Sequence, residues 1–343
     1  MISFMNDYSE GAHFNIIKRL VETDMEQAGG YCSDQYCKEA KDRIKAAIGT
    51  EAGDVDVEFL VGGTQTNMIM ISTMLKPYQG VVSAKTGHIA THEAGAIEHS
   101  GHKVLELPPH DGKLDPMDVA KYLDTFYGDE AHDHMVFPGM IFISHPSELG
   151  TLYTKEELKA FRMICDKFGM KLYLDGARLG YGLASKGTDV TLKDIAQYCD
   201  AFYIGGTKVG ALIGEAAVFM RGCKPEHFDT QIKQKGALLA KGRILGIQFA
   251  ELFKDDLYMK ISKHAIDMAV ILKAAFVEKG YPMYIDSPTN QQFFILPDAK
   301  LDELAKDFKF ARWEKVDETH SAVRFCTSWA TKKENIEKLA AAL

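Results

Sequence analysis

The chain has 343 residues, 46% of them hydrophobic and 26% charged, with a formal net charge of −8. That length supports a large buried core and, at roughly 100–200 residues per domain, argues for two domains. The acidic balance and the absence of a long basic run exclude nucleic acid or an anionic membrane as the expected partner. No apolar run approaches the ~20 residues of a membrane span, and the opening MISFMNDYSEG lacks the basic-then-apolar layout of a signal peptide.

Along the chain, short apolar runs alternate with segments of helical spacing. VDVEFLV (55–61), GVVSAK (80–85), KVLELP (103–108), MIFISH (140–145), KLYLD (171–175), DAFYIGG (200–206) and EAAVFM (215–220) read as buried strands. Between MIFISH and KLYLD, Thr154 and Glu157 form a capping box that opens the helix TKEELKAFRMICDKFG, and Gly169 is its stop signal. Near-continuous strands alternating with helices predict an α/β fold with a mostly parallel central sheet covered on both faces. After about residue 245 the pattern changes to one long helical stretch, GIQFAELFKDDLYMKISKHAIDMAVILKAAFVEKG, and then strands at QFFILP and SAVRFCTSW. A large domain over 1–245 and a smaller α/β domain over 246–343 are therefore expected. The six cysteines show neither a CxxC pair nor a zinc-ligand spacing, and Cys165, Cys199 and Cys326 sit in apolar runs as core residues. A reduced, cytoplasmic protein is expected.

Open α/β sheets bind ligands beyond the carboxyl ends of their strands, and three such ends carry suggestive residues. Asp175 closes KLYLD and is followed by Arg178; it reads equally as a helix cap or as a ligand for a cationic atom. Lys208 follows DAFYIGGT among apolar and glycine-rich residues, where a lysine either snorkels or is used chemically. Gly62 and Gly63 precede Thr64, Gln65 and an apolar helix, a turn whose backbone N–H groups suit an anion. There is neither a Walker loop nor an opening GxGxxG, which argues against a nucleotide. Together the three suit pyridoxal 5′-phosphate, which needs a carboxylate for its ring nitrogen, a lysine for its aldehyde and a helix N-terminus for its phosphate.

The motifs GGTQTN, HIATHEAG, DGARLG, GGTKVG and VRFCTSW, in this order and spacing, resemble the threonine aldolase (β-eliminating lyase) family of fold-type I pyridoxal phosphate enzymes over essentially the whole chain. The resemblance implies the aspartate-aminotransferase fold and the retro-aldol cleavage of threonine, allo-threonine and related β-hydroxy-α-amino acids to glycine and an aldehyde. A β-elimination or another amino-acid lyase reaction on the same scaffold is the alternative. It further implies Lys208 as the Schiff-base lysine, Asp175 at the ring nitrogen and Arg178 beside the ring oxygen. Gly63, Thr64, Gln65 and Thr207 would cradle the phosphate, His88 would stack on the ring with Glu93 in the same wall, and Arg324 would clamp the substrate carboxylate. The segment ISHPSELGTLY departs from the family's Asn-Thr-His pattern; Glu148 takes the histidine's place, with His145 three residues earlier. Asn6 stands where a serine is usual, with Asp7 retained, and would contact substrate. A homodimer or homotetramer is implied, with Tyr31 and either Lys241 or Arg243 reaching a neighbouring subunit's site. His88 and His92 have helical spacing, but no third ligand follows and no metal is expected; His92, His99 and His102 read as surface or interface residues.

Overall fold

A computed structural model of the chain describes residues 1–49 and 55–343. The chain opens with β1 (Ile2–Ser3). Seven strands then follow: β2 (Val55–Leu60), β3 (Gln79–Ala84), β4 (Val104–Leu107), β5 (Phe137–Ser144), β6 (Lys171–Asp175), β7 (Ala201–Gly205) and β8 (Glu215–Met220). They form a single sheet in the order β2-β8-β7-β6-β5-β3-β4. Pairs from β4 through β3, β5 and β6 to β7 are parallel, whereas β8 runs antiparallel to both of its neighbours. The mostly parallel sheet is as expected; the one reversed strand is not distinguishable in EAAVFM, because a run buried on both faces reads the same in either direction.

Alternate residues of these strands feed two cores. Ile141, Ile143, Leu172, Leu174, Phe202 and Ile204 pack on one face, and Met140, Phe142, Tyr173, Ala201 and Tyr203 on the other. The first face is covered by helices including Gln35–Ile48, Lys155–Phe168 and Arg243–Leu252, the second by Gly63–Met74 and Phe228–Gln234. Lys155–Phe168 starts on the expected Thr154/Glu157 capping box and stops at Gly169, whose φ of 65° is the left-handed cap. Arg243–Leu252 spans the 245/246 junction and lies tight on Gln35–Ile48; a Cβ at Gly246 would sit 2.4 Å from the Cys37 nitrogen.

The single long helix expected after residue 245 is two helices, Arg243–Leu252 and Leu257–Glu278. Asp255 and Asp256 separate them with φ of 51° and 58°, a conformation Asp tolerates through local hydrogen bonding. Leu257–Glu278 joins two cores: Ile261, Ala265 and Ile266 pack with the large sheet, and Met268, Leu272 and Phe276 with a third cluster. That third cluster lies on a four-stranded antiparallel sheet, β12-β13-β10-β9, built from β9 (Met283–Ile285), β10 (Gln291–Pro297), β12 (Ala311–Lys315) and β13 (His320–Cys326), with β11 (Phe308–Lys309) beside it in the chain. Here Phe276 stacks on Phe294 with ring centroids 4.1 Å apart.

The N-terminus belongs with this second sheet. β1 pairs with β11, buried Phe4 joins the third cluster, and the Cys326 N–H donates to the Phe4 carbonyl over 2.8 Å. The arm then carries Asp7 and Tyr8 to the seam between the two sheets.

Candidate active site

The carboxyl ends of β5, β6 and β7 and the start of helix Gly63–Met74 enclose a cavity of about 290 Å³. It continues into a wider cleft of about 600 Å³ toward β12 and β13, with Tyr8, His88, Glu148, Arg178 and Lys208 lining both. Bringing β6 and β7 this close requires glycine. A Cβ at Gly176 would fall 1.9 Å from the Tyr203 carbonyl oxygen, and the Gly205 N–H donates to the Gly176 carbonyl over 2.9 Å. The DGAR and GGTK turns are thereby packed together, and Asp175 and Lys208 line one cavity.

Asp175 is 4% exposed and anchored by three donors. The Tyr203 hydroxyl and the Ala177 N–H donate to Oδ1 over 2.5 and 2.9 Å, and Asn67 Nδ2 donates to Oδ2 over 2.9 Å. The Asn67 amide also donates to Glu93 Oε1 over 2.7 Å and accepts from the Tyr173 hydroxyl over 2.9 Å. His88 Nδ1 donates to the same Glu93 oxygen over 2.7 Å. Glu93 Oε2 has no partner, and burial pushes the Glu93 carboxyl up from its ordinary range. Burial opposes charge on His88, yet its contact with Glu93 and the nearby Asp175 carboxylate raise its pKa.

Lys208 is half-buried, and desolvation, followed by the Arg178 guanidinium, holds its amine below the usual lysine range. Arg178 itself grips Asp7 with two bonds, Nε to Oδ2 at 2.6 Å and Nη2 to Oδ1 at 3.0 Å, and Asn290 Nδ2 adds a third donor to Asp7 at 2.9 Å. Burial works against the Asp7 charge, but Arg178 and Lys208 outweigh it and lower its pKa. Asp7 is fully buried, so Asp7→Ala leaves an uncompensated guanidinium and is expected to destabilise the protein by about 3–5 kcal/mol. Denaturant unfolding of wild type and variant checks this; a midpoint unchanged within error would show that Arg178 finds another partner.

The residues singled out in the sequence divide clearly. Gly63, His88, Glu148, Asp175, Arg178, Thr207 and Lys208 line the inner cavity, and Arg324 lines the outer cleft. Arg324 Nη1 donates to Gln291 Oε1 over 3.0 Å, its guanidinium lies 5.5 Å from the Trp313 ring centroid, and Nε has no partner. Glu148 Oε1 accepts from the His88 N–H and the Ser144 hydroxyl over 2.8 and 2.7 Å, and burial raises the pKa of its carboxyl. His145 lies outside both cavities: it is fully buried, Nδ1 accepts from the Tyr153 N–H over 3.3 Å, and burial takes its pKa down to about 4.

Thr64 and Gln65 do not line the cavity, and the Gln65 side-chain amide oxygen turns back to accept from the Val61 N–H over 3.1 Å. Asn6 Oδ1 accepts from the Tyr8 N–H over 3.1 Å and closes its own turn. Tyr31 and Lys241 are exposed and outside both cavities. Arg243 donates to the carbonyls of Thr23 and Glu26 of its own chain. One histidine expectation changes, that of His102. His92 lines the outer cleft with its ring 5.8 Å from that of His88, and His102 is buried with Nδ1 2.8 Å from the Gln79 carbonyl; His99 is exposed.

Sequence reasoning missed Asn67, Tyr203 and Glu215. Glu215 is the one charged residue in an otherwise apolar strand run, and Tyr203 ends a side chain with a hydroxyl in the strand before Lys208; these are the signals that could have found them. The set fits pyridoxal phosphate. The helix Gly63–Met74 has Gly62 as its N-cap with no side-chain hydrogen bond, leaving N–H donors for a phosphate, and nothing lies within 4 Å of a Cβ built on Gly62. Asp175 and the amine of Lys208 would supply the remaining two contacts.

Comparison with known proteins agrees. The sequence profile of the β-eliminating lyase family matches residues 15–293. The low specificity L-threonine aldolase of Pseudomonas aeruginosa is 29% identical over 329 residues, covering 94% of this chain and 91% of that one. The solved structure of Leishmania major threonine aldolase is 40% identical with a TM-score of 0.95, covering 99% and 98% of the two chains. Thermus thermophilus aspartate aminotransferase, at 14% identity and a TM-score of 0.71 over 100% and 92%, shares the fold.

Proposed function

This chain belongs to the β-eliminating lyase family, and on that footing we propose that it is a pyridoxal phosphate-dependent carbon–carbon lyase acting on β-hydroxy-α-amino acids. L-threonine and L-allo-threonine would give glycine and acetaldehyde. The observation that carries this reading is the meeting of half-buried Lys208, the triply anchored Asp175 and an uncapped helix N-terminus in one cavity, with Arg324 across the adjoining cleft.

Bound pyridoxal phosphate supplies an electron sink for the pair released at Cα when the Cα–Cβ bond breaks. The protein's own groups do the rest. Lys208, held below the usual lysine range, would offer its amine to the cofactor's aldehyde. Asp175, fixed by Tyr203, Ala177 and Asn67, keeps a proton on the ring nitrogen. His88, hydrogen-bonded to Glu93, would form a wall of the cofactor site. Arg324, with a free Nε and a planar face against Trp313, would bind the substrate carboxylate and so orient the substrate for cleavage. Glu148 takes the proton from the β-hydroxyl. Both of its donors bind Oε1, so Oε2 is the oxygen left to receive it, and its raised pKa makes it a stronger base than an ordinary carboxylate.

Glu148→Gln is expected to lower kcat for threonine cleavage by about 10²–10⁴-fold while leaving cofactor absorbance intact. Steady-state assay with a visible spectrum checks this, and an undiminished kcat would transfer the role away from Glu148.

This reading includes the division into residues 1–245, holding the cofactor, and 246–343, with β1 and Phe4 of the first part packing on the second. It also includes a homodimer or homotetramer in which Tyr31 and Lys241 serve a neighbouring copy, supported by their exposure away from the cavity of their own chain. A cytoplasmic setting is supported by six free cysteines. Among the described residues no helix is long and apolar enough to cross a membrane.

A further inference from the structure

Glu215 is the one carboxyl in the cavity that the reaction above does not use. It begins β8, is 4% exposed, and lines the cavity beside Gly62, Gly63 and Thr207. Its register partners are Leu60, just before the Gly62–Gly63 turn, and Gly205, just before the Thr207–Lys208 turn. The carboxyl thus stands between the two backbone turns that would cradle a phosphate. Its Oε2 accepts from the Gly206 N–H over 3.0 Å, and the Thr207 side chain also lies within reach of the carboxyl.

A carboxylate here would face a phosphate dianion in a buried cavity, where like charges strongly disfavour one another. A neutral carboxyl would instead offer an O–H donor to a phosphate oxygen, an arrangement as short and strong as charge-assisted hydrogen bonds are. We propose that Glu215 is the protonated member of the phosphate cradle, with Oε2 held by Gly206 and the acid proton on Oε1 donated to the cofactor phosphate. This rests on the cofactor reading above and extends it to one further positioning residue.

The electrostatic setting agrees. Burial drives the Glu215 carboxyl up to about 8, against the opposing pull of Thr207, the Gly206 N–H and the Lys208 amine, with the Asp175 carboxylate reinforcing the rise. The remaining titratable groups facing it are the hydroxyls of Tyr173, Tyr203 and Tyr258, all raised by burial and therefore neutral. No arginine among the described residues lines the phosphate end; Arg178, the cavity's guanidinium, is committed to Asp7.

The sign follows directly. Protonated Glu215 binds phosphate, so phosphate-dependent affinity is full below the carboxyl's pKa and is lost as pH rises through it. The second phosphate ionisation, near 6, is complete throughout that window. The experiment measures the affinity of the apoprotein for pyridoxal phosphate and for pyridoxal, by visible absorbance, from one unit below to one unit above that pKa of about 8. The ratio of the two affinities cancels the titration of Lys208, which both compounds share.

In wild type the ratio is expected to fall about tenfold across the window. In Glu215→Gln, which keeps a neutral donor, it should stay flat. A flat ratio in wild type, or the same fall in Glu215→Gln, would overturn the assignment while leaving Lys208 and the cofactor in place. Failure of both compounds to bind would overturn the cofactor reading and this proposal with it. The wild-type profile stands without the variant, so a misfolded Glu215→Gln does not rescue the idea.

Discussion

Lys208→Ala is expected to abolish the visible absorbance of the reconstituted protein and to lower threonine cleavage by on the order of 10⁴-fold or more, as removal of a covalent catalytic group does elsewhere. Lys208 lies in the turn after β7, packed against the turn that carries Asp175, and its amine is held below the usual lysine range first by desolvation and then by Arg178. Its backbone carbonyl accepts from the Tyr181 hydroxyl over 2.6 Å, a bond the alanine variant keeps, so loss of fold is not the expected outcome. A circular dichroism melt of the variant close to wild type, together with loss of colour and activity, completes the prediction. Activity that survived with the colour would remove Lys208 from the chemistry.

The second large effect belongs to Asp175. Asp175→Asn keeps the size of the side chain but removes the charge that holds a proton on the ring nitrogen. A fall in kcat of on the order of 10²–10³-fold is expected, the cost of losing one preorganised electrostatic contact in a dry site. The cofactor should still attach to Lys208, because the phosphate cradle and the amine are untouched. Single-turnover cleavage followed beside the visible spectrum separates the two effects. A variant with wild-type kcat would mean that the ring nitrogen is served elsewhere, and Glu93, whose carboxyl is raised by burial and has one oxygen without a partner, would be the group to examine.

How much of this was legible in the sequence varies with the kind of interaction. KLYLD and EAAVFM gave β6 and β8 to the residue, because apolar runs ending at a turn or a charge mark both the strand and its end. The Thr154 capping box needed four residues and was equally plain. By contrast β12, ARWEK, is half exposed at the edge of a sheet and carries too little apolar patterning to stand out. The Asp255–Asp256 break hid inside helical periodicity, since two aspartates on an amphipathic stretch read first as its polar face.

The site followed the same rule. Asp175, Lys208 and the Gly62–Gly63 turn could be found because each sits at a strand end. The groups that orient them could not. Asn67 reaches Asp175 across 108 residues of sequence, and Arg178 reaches Asp7 across 171. Such contacts are set by how the sheet and the N-terminal arm pack, which no local pattern encodes. His92 is exposed, as its place in HIATHEAG suggests, but that the cleft is what it is exposed to could not be read from the sequence. Glu148 and His145 show why alignment of a short motif needs the fold. Three residues apart, one lines the cavity and the other is sealed beneath it.

The most direct test of the account is a product balance with L-threonine. Purified protein, reconstituted with pyridoxal phosphate, is incubated with L-threonine, and glycine, acetaldehyde, 2-oxobutanoate and ammonia are measured in the same sample. The account predicts glycine and acetaldehyde in equal amounts, with neither of the other two rising above a control lacking protein. Formation of 2-oxobutanoate and ammonia in place of glycine would show that the site breaks the bond to the β-oxygen instead of the Cα–Cβ bond, and would contradict it.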